Sequence, residues 1–362
     1  MPRKKASPPE DAPGTFEERL AAKFQLKLAS QPLTSDIADF ISTQCAMLDY
    51  IIGQPGIPVG RVTVFYGKEG AGKSTVAYHV LAETQRRDGL AILIDAEHRY
   101  SRDRGERLGL IPARLVMPTP ATLEDCFKDI EEIIKYVREE DPARLVCIVV
   151  DSLSALPAKQ QLEAAIDDQP HPGIIARTIS REMQRLGPML AHHKIALVLV
   201  NQLRQHLDIM GDPRSRERRK AMKRNTMAGE GALVFWGSLL VYFTSTGVIK
   251  TGEDPVGITV RAEIRKSSIA PEGKQGLFDI YALYGVDNEN SQLDLLERLG
   301  LVTQAGSWYS LDGESAKFQR RQWSSILAER ADLQEIIREA PLLWRPDPNE
   351  RSEQDADATA DG

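Results

Sequence analysis

An α/β protein, with helices on both faces of a mainly parallel sheet, is expected from three features of this 362-residue chain. Apolar runs at Val62 to Tyr66, Ala91 to Ile94, Leu145 to Val150 and Ile195 to Val200 alternate with helical patterns, as buried parallel strands do. The first of them runs directly into Gly67-Lys68-Glu69-Gly70-Ala71-Gly72-Lys73-Ser74 and then into the helix-like Thr75 to Arg87. That is the Gly-x4-Gly-Lys-Ser pattern of a phosphate-binding loop, in the strand-loop-helix setting the pattern needs. A later block, Gly237 to Thr244, Val256 to Ile264 and Leu277 to Leu283, has closely spaced turn signals and no long helix between its members. It predicts antiparallel strands added to the same sheet.

The elements follow in chain order. Residues 1 to 14 are rich in proline and charge and are expected to be disordered. Thr15-Phe16-Glu17-Glu18 reads as a capping box opening a helix with Phe16, Leu20 and Phe24 on one face, and an isolated helix with an apolar face needs a partner. Segment 1–35 is therefore taken as a unit for oligomerisation, and 36–285 as the nucleotide-binding core. From Gln292 the pattern turns helical, breaks at Ala305-Gly306-Ser307-Trp308-Tyr309 and resumes from Arg321 to Glu339, which gives a small α+β domain over 286–344. Residues 345–362 carry six acids against two arginines and no core-forming run, the composition of an acidic disordered tail.

With 42% hydrophobic and 27% charged residues, the chain has ample material for a core. A formal net charge of −6 advertises no nucleic-acid binding as a whole, so any such binding must come from a local concentration of positive charge. Cys45, Cys126 and Cys147 are far apart, which argues against structural zinc and fits buried thiols in a reducing cytosol. The basic start at Arg3-Lys4-Lys5 has no apolar stretch after it and so lacks the form of a signal peptide. No window approaches a membrane span, and a cytoplasmic location is expected.

Glycines in the Gly67–Ser74 run let backbone N–H groups turn inward around phosphate oxygens, while the following helix offers the positive end of its dipole. Lys73 would reach the β- and γ-phosphates and the Ser74 hydroxyl would bind Mg²⁺. An acid ends the strand Leu145 to Val150: Asp151 either holds Mg²⁺ or caps the next helix. Glu97, after Leu93-Ile94-Asp95, stands where a carboxylate could accept a hydrogen bond from an attacking water, although an acid after a strand is commonplace. Asn201-Gln202-Leu203-Arg204 leaves the same sheet edge, and ligands of doubly wound sheets gather outside the carboxyl ends of the strands, so Gln202 can touch the γ-phosphate. After it, Arg214, Arg216, Arg218, Arg219, Lys220, Lys223 and Arg224 stand against only Asp208, Asp212 and Glu217. This is a basic loop tethered to the nucleotide site, or else a merely solvated insertion.

Taken together, these motifs closely resemble the RecA family of DNA strand-exchange ATPases over nearly all of residues 40 to 340. Further agreement lies in Phe40-Ile41-Ser42-Thr43, Leu48-Asp49, Gly56-Ile57-Pro58-Val59-Gly60-Arg61, Asp95-Ala96-Glu97-His98, Asp151-Ser152, Ala232-Leu233 with Phe235, and Ile280 to Gly285. The resemblance implies that Gly67 through Ser74 and Thr75 hold ATP and that Glu97 activates water while Gln202 senses the γ-phosphate. It makes Tyr284 and Gly285 adenine contacts, with a core aromatic as the other reading of Tyr284. Arg265 and Lys266 fall near the lysines that reach a neighbouring subunit's nucleotide, and Phe235 resembles an interface aromatic, though an ordinary core Phe fits as well.

Two DNA-binding loops are implied as well. One spans 163–173, with His171 and Gly173, and leads into a helix carrying Arg177, Ser180 and Arg185, which could also be a solvated face. The other spans 204–231, from Arg204 to Gly229-Glu230-Gly231. It departs from the family in length and basic content, and in having Glu230 and Gly231 where Gly and Asn are usual. Ser101 and Arg104 stand where the family frames adenine with an acid and an aromatic, so base selectivity is expected to be looser. The implied function is an ATP- and Mg²⁺-dependent recombinase that forms a helical filament on single-stranded DNA, pairs it with homologous duplex and works with single-strand-binding or loader proteins. The alternatives are a ring-forming motor or helicase of the same fold, and a DNA-annealing protein with a structural ATP site.

Overall fold

A computed structural model describes residues 15–24, 36–37, 39–163, 173–204 and 226–343. His171, the basic run Arg214 to Arg224, the segment 1–14 and the tail 345–362 lie outside the described residues.

Helix α1, Phe16–Phe24, opens with the expected capping box: the Thr15 amide donates to Glu18 Oε2 at 2.7 Å and the Thr15 hydroxyl accepts from the Glu18 amide at 3.3 Å. Phe16 and Leu20 are exposed. This helix falls in a unit of its own, Met1–Ile37.

The second unit begins at Ala38. Its chain runs β1 (Phe40–Ile41), α2 (Ala46–Ile52), β2 (Ile57–Pro58), β3 (Val62–Gly67), α3 (Lys73–Arg86) and β4 (Leu90–Asp95). Next come α4 (Arg102–Arg107), β5 (Leu115–Val116), α5 (Leu123–Glu140), β6 (Val146–Asp151), α6 (Lys159–Glu163), α7 (Ile174–His193) and β7 (Ile195–Arg204). A return strand β8 (Thr226–Met227) and helix α8 (Glu230–Trp236) lead into β9 (Leu239–Thr251), β10 (Asp254–Ser267), β11 (Gln275–Tyr281) and β12 (Gly285–Val286). The chain closes with α9 (Asn288–Arg298), β13 (Val302–Ala305), β14 (Trp308–Leu311), β15 (Lys317–Gln319), α10 (Trp323–Glu329) and α11 (Ala331–Glu339).

One sheet carries the order β12-β11-β10-β9-β3-β7-β6-β4-β5, with β8 paired to β7. From β9 through β5 every neighbour is parallel, and β10, β11 and β12 extend the sheet antiparallel, as the two kinds of apolar block predict. The central strands are apolar throughout because both faces are covered. Cys147 and Val149 of β6 pack with α2 and α3 on one side, while Ile148 and Val150 pack with α5, α7 and α8 on the other. Burial pushes the thiols of Cys45, Cys126 and Cys147 up to about 12, so they behave as inert core residues.

Helices α9 to α11 enclose the three-stranded antiparallel sheet β13-β14-β15 over a separate apolar cluster. Tyr309, Phe318 and Trp323 stack through it, and the Trp323 indole donates to Gln292 Oε1 at 3.0 Å. Among the described residues, no helix is long and apolar enough to cross a membrane.

Candidate functional site

Strand register brings the predicted residues to one edge. Gly67 pairs with Gln202 across β3 and β7, and Asp95 pairs with Asp151 across β4 and β6, so all four sit at carboxyl ends of parallel strands. The loop between β3 and α3 can be built only with glycine at its tight points. A Cβ on Gly67 would lie 2.2 Å from the Phe243 carbonyl oxygen, and one on Gly72, at φ +86°, would lie 2.4 Å from Ile280 Cδ1. Gly72 is the N-cap of α3 and provides no side-chain cap, so the first N–H groups of that helix remain available to an anion.

Lys73 is buried, and its ammonium donates to the carbonyls of Gly67 at 3.1 Å and Lys68 at 2.6 Å. Burial lowers its pKa, against the opposing pull of Asp151 and Glu97. Asp151 is also buried. Desolvation pushes its carboxyl up to about 6 although a hydrogen bond with Ser74 pulls it down, and Glu97 and Asp95 push it further up. A buried acid made costly by its surroundings gains most from a cation placed beside it. Among the described residues no group of three or more His, Cys, Asp or Glu could hold a metal by itself. The Ser74 and Asp151 oxygens therefore fit Mg²⁺, which completes its shell with water and substrate phosphates.

A cavity of about 670 Å³ opens over this loop, a size suited to a nucleotide. Lys73, Asp151, Glu97 and Gln202 line its floor, and Tyr281 and Ala282 line its wall. Thr75 and Arg104 line it too, joined by a 3.0 Å hydrogen bond from the guanidinium to Thr75 Oγ1. Arg104 lies 5.9 Å from the centroid of the Tyr78 ring, so a cation over an aromatic occupies this wall.

Glu97 is the centre of a side-chain network. Its Oε1 accepts from the Ser152 hydroxyl and from Gln202 Nε2, the latter at 2.7 Å, and its Oε2 pairs with Arg99 Nε at 3.0 Å. Arg99 also reaches Glu69 of the phosphate loop at 2.7 Å. Beyond Gln202 the strand continues: Leu203 pairs with Met227 and Arg204 with Thr226. Asn201, fully buried, clamps this return by donating to the Ala228 carbonyl at 2.8 Å. Gly229 follows, so close to the first turns of α7 that a Cβ there would meet Ile179 Cδ1 at 2.4 Å and Ile175 at 3.7 Å. Gly173 is the N-cap of α7, at φ +83°. Residue 229, which closes the second predicted loop, thus abuts the helix that opens after the first.

At the expected adenine contacts and at the basic pair the structure shows the following contacts within the chain. Tyr284 is absent from the cavity lining and stacks on Tyr281, whose ring forms the wall in its place, at 5.0 Å between centroids. Gly285, at φ +83°, is pressed against His79, so its missing side chain serves packing. Lys266 is committed within its own chain, donating to the Val234 and Phe235 carbonyls that end α8 at 2.6 and 3.3 Å. Arg265 pairs with Glu263 at 2.8 Å and lies 5.4 Å from the centroid of the Tyr242 ring.

On α7, Arg177 is exposed and Ser180 half-buried, whereas Arg185 is engaged by Glu131 and Glu182. Phe235 is exposed, which removes the core reading, and a Cβ on Gly231 would meet nothing within 4 Å. Ser152, Arg99 and Asn201 are the residues that motif spacing alone leaves without a role. Ser152 follows the metal-strand acid and Arg99 follows His98, so adjacency to a motif is the only sequence signal they carry.

Residues 15–287 match the family described as the RecA N-terminal domain. The chain belongs to the RecA family. Similar relatives include Protein RecA of Rhodopirellula baltica, 32% identical over 92% of this chain and 86% of the relative, and Protein RecA of Clostridium acetobutylicum, 31% identical over 94% and 93%. The mitochondrial DNA repair protein recA homolog of Dictyostelium discoideum is 29% identical over 93% of this chain and 72% of its own length. RecA-family membership accounts for the parallel core and for the phosphate loop at its centre.

Proposed function

We infer that this chain is a DNA recombinase of the RecA family that acts in recombination and repair. Hydrolysing ATP with Mg²⁺ in the cytoplasm, it forms a helical filament on single-stranded DNA and pairs that strand with homologous duplex. The observation that carries this reading is the course of β7. In two residues it passes from Gln202, which holds Glu97 over the nucleotide cavity, to the stem from which the basic loop departs. A γ-phosphate and a DNA strand would each act on the same short piece of backbone.

The chain's own groups divide the work. The phosphate-loop amides and Lys73 would hold the phosphates, and Ser74 and Asp151 would hold Mg²⁺, which when bound would supply charge neutralisation for phosphoryl transfer. Glu97 orients the attacking water and accepts its proton, and Ser152 fixes the direction of its Oε1. Gln202 exchanges its bond with Glu97 for one with the γ-phosphate, and the shift is passed through Leu203 and Arg204 to the loop. Basic residues 214–224 would grip DNA phosphates, as would Arg177 and Gly173 at the start of α7. Single-strand-binding or loader proteins would act on the filament. Exposed Phe16, Leu20 and Phe235 are the apolar groups offered to neighbouring subunits.

Family membership favours this reading over a ring motor or an annealing protein. Electron microscopy of the full chain with single-stranded DNA and a slowly hydrolysed ATP analogue tests it. Continuous helical filaments are the expected result. Closed rings would indicate a motor, and bare DNA would remove the recombinase assignment.

A further inference from the structure

We propose that Arg99 is a latch on Glu97: its guanidinium ties the water-orienting carboxylate to Glu69 of the phosphate loop and restrains ATP turnover until the pair is opened. The inference rests on the reading of Glu97 given above and concerns a residue that the motif leaves without a role.

Three observations carry it. Both Glu97 oxygens are engaged, Oε1 by Ser152 and Gln202 and Oε2 by Arg99 at 3.0 Å. A carboxylate held in this way has about three of its four acceptor sites filled and its direction fixed, which leaves little room for a water to be oriented by it. Second, Arg99 bridges two segments of the cavity lining, since the same guanidinium holds Glu69 of the phosphate loop at 2.7 Å. Third, the arm is built to move. Its backbone amide is fixed to Asp95 Oδ1 at 3.1 Å, while 57% of its side chain is exposed. Glu97 itself is only 14% exposed, so the mobile partner is the arginine.

Opening needs a competitor for the guanidinium or a displacement of Glu97. A γ-phosphate, which guanidinium recognises as it does carboxylate, weakens the pair but is present in every ATP-bound molecule, so it does not open the latch alone. Movement of Gln202, which shares Oε1, supplies the second. The latch therefore opens fully only when DNA acts through Gln202, and it keeps the ATP-bound, DNA-free protein slow.

Steady-state ATP turnover of the full chain without DNA tests this, comparing wild type with Arg99→Ala, Arg99→Lys and Glu97→Gln. Arg99→Ala should raise DNA-free kcat about fivefold with KM within about twofold, the scale of one partly exposed ion pair lost without loss of substrate binding. Arg99→Lys, which keeps the charge, should stay near wild type, and stimulation by DNA should shrink only in Arg99→Ala. An unchanged or lowered kcat in Arg99→Ala, with Glu97→Gln strongly impaired, overturns the latch and leaves the role of Glu97 intact. Undiminished turnover in Glu97→Gln would overturn both.

Discussion

Gln202 Nε2 lies 2.7 Å from Glu97 Oε1, joining the end of β7 to the loop that follows β4. The two residues are far apart in sequence and meet because β3, β7, β6 and β4 are consecutive parallel strands whose carboxyl ends share one edge. Under the proposed roles, the group that would report the phosphate and the group that would orient water are joined by this one hydrogen bond, two residues before the chain enters the basic segment.

Glu97→Gln keeps the shape of the network and removes the proton acceptor. ATP turnover should fall by about 10²- to 10⁴-fold, the span of general-base contributions, while ATP-dependent DNA binding persists. Steady-state kinetics and a filter-binding assay on the same protein measure both. Loss of nucleotide binding in this variant would take Glu97 out of the catalytic role.

Gln202→Ala should separate the two ligands. ATP and single-stranded DNA are each expected to tighten the other's binding in the wild type by one shared factor, worth about 1–3 kcal/mol in typical allosteric systems. In the variant that factor should fall towards unity while ATP still binds. Titration calorimetry in both orders checks it, and unequal factors in the wild type would contradict a two-state linkage.

Much of this site is legible in the sequence, because the chemistry is carried by short motifs on strand ends. Gly67 to Ser74, Asp151, Glu97 and Gln202 meet as their spacing after apolar runs implies. What sequence could not give is partner choice. Lys266 reads, by resemblance, as a cation that reaches a neighbouring subunit, yet within its own chain two carbonyls at the end of α8 take its ammonium. Tyr284 carries the aromatic signal, but the short β11–β12 connection stacks it on Tyr281, and Tyr281 forms the wall. The same limit hides Asn201, whose burial and bond to the Ala228 carbonyl arise only after β8 returns to β7.

His79 gives stability a component that falls on acidification. Its ring is buried between Gln44 and the Val286 amide, which donates to Nε2 at 3.0 Å, and desolvation pushes its pKa from the usual 6.5 to about 4. The unfolded chain binds the proton more readily, so this contribution is complete above pH 6.5 and is lost as pH falls towards 4. The loss is about 2 kcal/mol between pH 7 and pH 5. Asp49, Asp151 and Asp294, each raised to about 6 chiefly by burial, act in the opposite sense over the same window, so only the difference from a His79 variant reports the histidine. Urea denaturation of wild type and His79→Gln at both pH values isolates the histidine, and an equal drop in the two proteins would contradict the assignment.

Salt titration reports on the loop. If all seven basic residues between Arg214 and Arg224 meet phosphates of a single strand, log affinity should fall against log salt with a slope of about 5. A slope near 1 would assign most of that charge to solvent.

The central claim is that the nucleotide cavity and the DNA loop share the Glu97–Gln202 unit, and ATP turnover with and without single-stranded DNA tests it most directly. A marked rise in kcat on adding DNA, absent in Gln202→Ala, is the predicted result. Equal turnover with and without DNA across all salt concentrations would contradict it.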